Sequence, residues 1–433
     1  MKMNIPNQLP FSDKTGELGC KVIKFKQKYN RLWWEAESSF PKFPKTYSRS
    51  DQAEIERELS LFVGKISDYM EQNLPTSKDR EESLRAAISE SKKYLKNLSD
   101  LSGISVDSLY SDGFKRSTKL FIEHVKQFDP SMKFENIYQA LRNVWIMNAL
   151  QLYLNRDIGY SNSIFAYSML YPYTDNIMDD VSISVEEKLR LNRNLKNWLE
   201  GKSCSYSSPI ENKIYHLIKL VEGDFPRDMF PGVFQSMLTI YNAQIRSLIQ
   251  QRQDAPPYVI DILDISLEKG GTSVLADGYL VQGKLNENQE DFCFGFGAFL
   301  QFADDVQDVL TDRKNNHMTL FSQIAGNYKL DAVANKLFHF ISMVVELHLS
   351  DPGFRKLREF IHKNSYLLVM EAIGTNSELY TSDYIEELET HFPLKFSALK
   401  KLRKKLKKSF SKQKRRAIHF DTVLMSSGSP KHV

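Results

Sequence analysis

Helical spacing of apolar residues constrains the fold of this chain more than any other feature. Between residues 52 and 74, Ile55, Leu59, Phe62, Ile66 and Tyr69 follow one another at steps of three and four, so they share one helix face. β-Branched alternating runs are few, and no Asn-Gly or Asp-Gly turn joins two of them. The sequence therefore predicts an all-α bundle. Further helices are expected at about 81–99, 105–128, 134–155, 161–180, 185–199, 209–222, 230–251, 258–283, 289–312, 330–349, 353–374 and 393–412.

The two ends of the chain differ in character from this helical body. Residues 1–50, which include the stretch "SSFPKFPKTYSRS", are expected to form an irregular arm, which the aromatic cluster around Trp33 and Trp34 would dock onto the body. Residues 51–390 are expected to form a single all-α domain. A basic amphipathic helix is expected at 391–420 and a loose tail at 421–433.

Composition excludes several classes of protein. The net charge of +4 over 433 residues argues against nucleic-acid binding by the chain as a whole. Three widely separated cysteines predict neither a disulfide framework nor a zinc site, and they indicate a reducing, cytoplasmic compartment. We see no secretory signal in the first residues and no apolar run of the roughly 20 residues that a membrane span needs.

Two acidic clusters each follow an aromatic, apolar helix. Their members are Asp175, Asp179 and Asp180 in the first cluster, and Asp304, Asp305 and Asp308 in the second. Carboxylates four residues apart share a helix face and repel each other, so something must compensate their charge. Mg²⁺ prefers such oxygen ligands and bridges them to phosphates. A solvated acidic turn is the usual explanation of one such cluster, and the residue pattern leaves both interpretations open for the pair.

Aromatic residues near the two clusters would form an apolar wall beside a metal. The candidates are Phe165, Tyr171, Phe299 and Phe302. Such a wall is needed only if the substrate carries a long hydrocarbon, and ordinary core packing is the alternative.

Three segments carry a resemblance to a known family. "GAFLQFADDVQD" resembles the second aspartate-rich motif of trans-prenyl diphosphate synthases, with Leu300 where Phe is usual. "DNIMDD" resembles the first motif, Asp-Asp-x-x-Asp, with Asn176 at its second position, and is equally close to the Asp-x-x-x-Asp-Asp of squalene and phytoene synthases. "EKGGTSVLADGYLVQG" is similar to the Lys-Thr helix of the same superfamily, although Gly270 and Gly271 separate Lys269 from Thr272. The similarity covers about residues 140–325.

This resemblance implies the class I isoprenoid synthase fold, a helical bundle around a deep apolar cavity. It also implies a cluster of Mg²⁺ ions, often three, that binds a prenyl diphosphate and promotes the loss of diphosphate. The implied catalytic metal ligands are Asp175, Asp179, Asp304 and Asp308, with Asp180 and Asp305 beside them. The implied diphosphate-binding residues are Lys269, Arg313, Asn176 and Gln301.

Departures from the family pattern narrow the expected reaction. The Arg-Arg-Gly after the first motif, the N-terminal Gly-Lys-Arg of chain-elongating enzymes and the Asn-Ser-Glu triad of plant and fungal cyclases have no counterpart. The sequence therefore looks like a divergent class I terpene synthase, nearer the prenyltransferase-like branch that includes large-terpene synthases. Two alternatives remain: a condensing synthase of squalene or phytoene type, and a non-catalytic helical lipid-binding protein.

Four polar residues near these segments each have two interpretations. Arg142 would form a structural salt bridge or reach the diphosphate. Gln244 and Gln251 share a helix face that lines a cavity mouth or is simply exposed. His317 is a packing residue or a base.

The basic C-terminal helix also has two interpretations. Lysines and arginines surround an apolar stripe made of Phe396, Leu399, Leu402, Leu406 and Phe410. Such a helix either lies on an anionic membrane or packs its stripe on the bundle. The oligomeric state is left open.

Overall fold

A computed structural model describes residues 16–71, 111–179, 183–203, 205, 208–251 and 260–413. Across these ranges the chain forms sixteen α-helices, three short 3-10 turns and no strand, which confirms the all-α prediction. By contact density the chain divides into two compact units. Unit 1 contains residues 1–41 and 128–369, and unit 2 contains residues 42–127 and 370–433.

Unit 1 holds most of the helices. They are α1 (Gly16–Glu35), α4 (Phe134–Tyr153), α5 (Asn162–Asp179), α6 (Val185–Leu199), α7 (Pro209–Asp224), α8 (Pro231–Ser247), α9 (Ile262–Gln282), α10 (Glu287–Gln307), α11 (Val309–Lys314), α12 (Leu320–Ile324) and α13 (Asp331–Leu349). Unit 2 contains α2 (Arg49–Glu71), α3 (Asp112–Phe128), α15 (Ser382–Thr390) and α16 (Phe396–Gln413). Helix α14 (Arg355–Thr375) begins in the residues of unit 1 and ends in those of unit 2.

Most predicted helices are present with ends shifted by a few residues. The helix at 185–199 is found as predicted, whereas the one predicted at 289–312 is two helices that meet at Asp308. The helix predicted at 81–99 lies outside the described residues, and so does the tail at 421–433. The domain boundaries predicted at residues 50, 390 and 420 stay a prediction.

Within the expected irregular N-terminal arm, residues 16–35 instead form the helix α1, whereas residues 36–48 are irregular as predicted. Val22, Tyr29 and Trp33 are buried on one face of it, and the Trp33 ring packs on Phe302. Trp34 is exposed. The docking role expected for this aromatic pair therefore holds for Trp33 alone, because the two residues point to different sides of a helix.

Lysines on α1 attach this helix to the acidic side chains of α9 and α10. Lys26 Nζ lies 2.9 Å from both Asp264 Oδ2 and Glu268 Oε2, and Arg246 of α8 pairs with the same two carboxylates. We call these four residues the four-residue ion cluster. Lys26 occupies a buried position on the inward face of α1. A charged residue at that position interrupts the apolar spacing by which a helix is recognised in a sequence, so α1 was not predicted.

Helices α9 and α10 pack together more closely than any side chain would allow. A Cβ atom on Gly270 would collide with the carbonyl oxygen of Gly297, and a Cβ on Gly297 would collide with that of Gly270. Glycine is required at both positions because the two backbones touch. The contact places Lys269 of α9 next to the end of α10 that carries Gln301 and Asp305.

Unit 2 is built around the packing of α16 on α2. Phe396 lies against Gly374 of α14, where a Cβ would collide with its ring. The side-chain amide of Gln52 donates to the carbonyl oxygens of Glu389, at 2.8 Å, and Phe392, at 2.9 Å. Among the described residues, no helix has the length and the apolar character needed to cross a membrane.

Candidate functional site

Unit 1 contains a cavity of about 590 Å³, a size typical of ligand pockets. Its lining comes from four α-helices, from the 3-10 turn that follows α8, and from the segment after α11. The lining residues are Tyr171 and Thr174 of α5, Asn192 and Leu195 of α6, Tyr241, Gln244, Ile245 and Ser247 of α8, Leu248 and Gln251 after it, Lys269 of α9, and Asn315 and His317. Here Gln244 and Gln251 do line a cavity.

The first acidic cluster lies on the last two turns of α5. Thr174 and Tyr171, immediately before it, face the cavity. The backbone of Asp175, Asn176 and Asp179 is helical, but their side chains lie outside the described residues, as does all of Asp180. What the structure establishes for this cluster is that the helix bearing it borders the cavity.

The second acidic cluster continues beyond the residues that the sequence motif contains. Asp308 ends α10, and Asp312 follows one turn later in α11, where its backbone nitrogen donates to the Asp308 carbonyl oxygen at 2.9 Å. Asp304, Asp308 and Asp312 thus follow one another at intervals of four. Burial and the neighbouring carboxylates raise the pKa of Asp308, and the same causes raise the pKa of Asp312 to about 7. We call these three residues the acidic run.

Asp305 points in a different direction from the acidic run. It is buried between α10 and α9, where the Gln301 amide donates to its Oδ1 at 2.8 Å and the Ser266 hydroxyl lies 3.5 Å from its Oδ2. Burial raises the pKa of Asp305 to about 7, with Gln301 and Lys269 opposing the shift. Gln301, expected at the diphosphate, holds this carboxyl group instead and does not line the cavity.

Lys269 lines the cavity and influences carboxyl groups at the C-terminal end of α10 and in α11. Its side chain lines the cavity, and its positive charge opposes the rise in the pKa of Asp305 and of Asp312. Burial first, and then the charge of Lys269, lower the pKa of His317 to about 4. Lys269 therefore lines the cavity, and its charge influences the pKa of Asp305, Asp312 and His317.

The two candidate arginines have different surroundings. Arg142 Nη2 lies 3.4 Å from Asp304 Oδ1, and both side chains are about half exposed, at 53% and 45%. Arg313 packs its guanidinium group over Gly326, a glycine with φ of +89° at which any side chain would collide with it. Arg142 therefore contacts the second acidic cluster, whereas Arg313 does not line the cavity.

Of the four aromatic residues expected at the cavity, only Tyr171 lines it. Phe165 is fully buried against Phe128, and Phe302 packs between Trp33 and Phe340. Phe299 lines a separate apolar hollow of about 160 Å³, together with Phe292, Phe296 and Leu357 among others. The aromatic run of α10 is core because α1, α9 and α13 cover this helix.

The sequence analysis missed several residues that line the cavity and also Asp312, which lies beside the cavity residue His317. Asp312 had a signal, since it extends the four-residue spacing of Asp304 and Asp308 by one step. Asn315, Thr174 and Tyr241 had none, because a single polar or aromatic residue in a helix carries no pattern. His317 also lines the cavity, and its Nδ1 lies 3.7 Å from Asp312 Oδ1.

The donors at this site suit Mg²⁺ in chemical type. Asp304 and Asp308 supply carboxylate oxygens, and burial together with the neighbouring carboxylates raises the pKa of Asp308 and Asp312, so a cation bound here would favour their ionised forms. The described residues contain no group of three or more acidic, histidine or cysteine side chains close enough to hold a metal. That is compatible with Mg²⁺, which is usually held by one or two carboxylates and completed by substrate phosphates and water.

A scan of protein-family models finds no match to this chain, and neither the curated proteins nor the solved structures show a similar one.

Proposed function

We propose that this protein is a Mg²⁺-dependent class I terpene synthase. It would ionise a prenyl diphosphate, release diphosphate, and cyclise or quench the resulting carbocation. One observation carries the proposal: the helix of the first acidic cluster, Lys269, and the segment after the second acidic cluster all line one cavity.

The polar end of the cavity supplies groups for a diphosphate. Lys269 is a cation that binds the phosphate oxygens and stabilises the charge that develops on the leaving group. Asp304 and Asp308 would hold Mg²⁺, with Asp175 and Asp179 as the partners that the resemblance implies. When bound, Mg²⁺ would neutralise negative charge on the leaving diphosphate.

The other end of the cavity supplies an apolar environment for a hydrocarbon. Tyr171, Leu195 and Tyr241 belong both to the large cavity and to an adjoining hollow of about 50 Å³. Deeper apolar residues, Leu170, Met237 and Ile240 among them, line that hollow. Tyrosine ring faces attract cations by about 1–2 kcal/mol in a dry site. A cavity with a charged lysine in its lining and an adjoining apolar hollow suits an amphipathic substrate with one anionic head.

The test measures diphosphate release from a series of prenyl diphosphates, from short to long, with Mg²⁺ or with a chelator. Asp304→Asn and Asp308→Asn are each expected to lower the rate by about 1000-fold or more, because each removes a charge that the metal requires. Asp228→Asn is the matched control, since Asp228 is exposed and lies more than 40 residues along the sequence from both clusters. Circular dichroism checks that each variant is folded.

The products separate the proposal from its alternatives. A terpene with the carbon number of the substrate supports the proposed function, and a product with twice that number supports a condensing synthase. If no substrate releases diphosphate, or if both aspartate variants match the wild-type rate, the assignment as a terpene synthase is wrong. A non-catalytic lipid-binding protein is then the favoured alternative.

A further inference from the structure

The C-terminal part of the chain has a charge opposite to that of the rest. Residues 390–420 contain twelve lysines and arginines and no aspartate or glutamate. Subtracting these twelve from the 58 basic residues leaves 46, against 54 acidic residues in the remainder of the chain. The small net charge of the whole protein therefore hides a strongly basic segment and a net acidic body. Helix α16 lies within the basic segment.

The apolar side of α16 is already occupied within unit 2. Phe396, Leu399 and Leu402 are all buried, and the helix packs on α2. On the same side, the Arg403 guanidinium group donates to Glu371 Oε1 and to the Thr375 hydroxyl. For these residues the interpretation that the stripe packs on the bundle is confirmed. The side chains of Leu406 and Phe410 lie outside the described residues.

The solvent-exposed face of α16 carries lysines. Lys401 and Lys404 lie three residues apart on this face, and Lys405 is exposed at its border with α2, where its Nζ comes near Gly64. Lys400, at the margin of that face, donates to the Ser377 hydroxyl at 2.8 Å. We call Lys401, Lys404 and Lys405 the lysine face. No acidic residue of α16 compensates its charge, because the helix contains none.

We propose that the lysine face binds the surface of an anionic lipid bilayer by charge alone, without inserting apolar side chains. A convex row of flexible ammonium groups matches a plane of mobile anionic headgroups, which can gather beneath it. Within residues 396–405 the face has no exposed aromatic ring for base stacking and no guanidinium fork for phosphate, which single-stranded nucleic acid sites commonly use. A lipid surface is therefore the better partner.

Binding by charge alone has a defined dependence on salt and lipid. It should weaken steeply as ionic strength rises, because the Debye length falls from about 10 Å at 0.1 M salt to about 3 Å at 1 M. It should require anionic lipid, since no described apolar side chain of this face is available to enter the bilayer. Each lysine near the surface is worth about a five-fold change in partition.

The experiment measures sedimentation of the full-length protein with vesicles. Vesicles of phosphatidylcholine alone are compared with vesicles that also contain phosphatidylserine. Lys401→Gln, Lys404→Gln and Lys405→Gln combined should weaken binding to the anionic vesicles by about 100-fold. The matched control combines Lys24→Gln, Lys119→Gln and Lys356→Gln, which remove the same charge from three other helices and should change binding little.

A further variant and four contrary results complete the vesicle experiment. Replacing the three lysines of the face by arginine should keep wild-type partition, because the charge is kept. The proposal fails if the glutamine variant binds like wild type, if the control triple loses as much affinity, or if binding to phosphatidylcholine alone is strong and independent of salt. It also fails if the protein ignores both vesicles and instead binds single-stranded RNA through the same lysines. None of these results depends on whether the protein releases diphosphate.

Discussion

Two groups of carboxylates in unit 1 differ in how their charge is balanced. In the four-residue ion cluster, Asp264 and Glu268 each contact both Lys26 and Arg246. In the acidic run, only Asp304 has a described ion pair with a lysine or arginine, the half-exposed one to Arg142, while Asp312 lies beside His317, whose lowered pKa keeps it neutral near pH 7. The first arrangement pairs each carboxylate with two cations and joins three helices. The second has fewer cations than carboxyl groups among the described contacts, and burial and mutual repulsion raise the pKa of Asp308 and Asp312.

The largest effect on stability should come from breaking the balanced group. Lys26→Met removes a buried cation and leaves two carboxylates to share Arg246, so we expect the free energy of unfolding to fall by roughly 3–5 kcal/mol. Urea unfolding measures this change. Adding Glu268→Gln to Lys26→Met should recover part of the loss, because it removes the excess charge. If Lys26→Met alone costs almost nothing, the cluster does not hold α1 in place.

A second prediction uses the pH dependence of Asp305. Its pKa is raised from 3.8 to about 7, so between these values the folded chain keeps a proton that the unfolded chain releases. Asp305 therefore makes stability fall as pH rises through that window. Asp305→Asn removes the titration and keeps an acceptor for Gln301. We expect its advantage over wild type to grow between pH 5 and pH 8, reaching roughly 2–4 kcal/mol.

Unfolding curves of the two proteins at several pH values check this sign. An advantage that is the same at pH 5 and at pH 8 would contradict the protonated state assigned to Asp305. Ser163→Ala, a change at a buried hydroxyl on another helix, is the control that should shift stability equally at both pH values.

The smallest effect should come from the one ion pair of the acidic run. Arg142→Gln removes a half-exposed partner of Asp304, and such pairs are worth at most about 1 kcal/mol. Thermal unfolding at low and high salt measures the change, and Lys119→Gln, which removes an exposed pair with Glu123, is the matched control. A loss of stability several times larger would mean that Arg142 neutralises much of the charge of the acidic run. The acidic run would then no longer differ from the four-residue ion cluster in how its charge is balanced.

The sequence predicted the helices well because most of them bury one apolar face. Helix α1 was missed because Lys26 occupies an inward position, which makes sense only once Asp264 and Glu268 are seen opposite it. Helices α12 and α15 were missed because they are short, at five and nine residues, and offer little periodicity.

The candidate site was predictable only in part. Lys269 was a candidate because the segment "EKGGTSVLADGYLVQG" resembles a family motif, and in the structure this residue lines the cavity. The cavity wall did not follow, because Phe165 and Phe302 have the same apolar character whether they face a ligand or the core. Which of the two they face depends on the helices that cover them, and that information is spread over distant parts of the chain.

The backbone contact between Gly270 and Gly297 has a consequence for any ligand that bridges α9 and α10. With no side chain between the two helices, their separation does not depend on rotamers, and the backbone of Lys269 stays at a set distance from the backbone of α10. A ligand that bridges the two helices has side chains to order but not the helices themselves, which reduces the entropy lost when it binds. Two absent methyl groups thus set the spacing of the backbones from which a cation and the carboxylates beyond it extend.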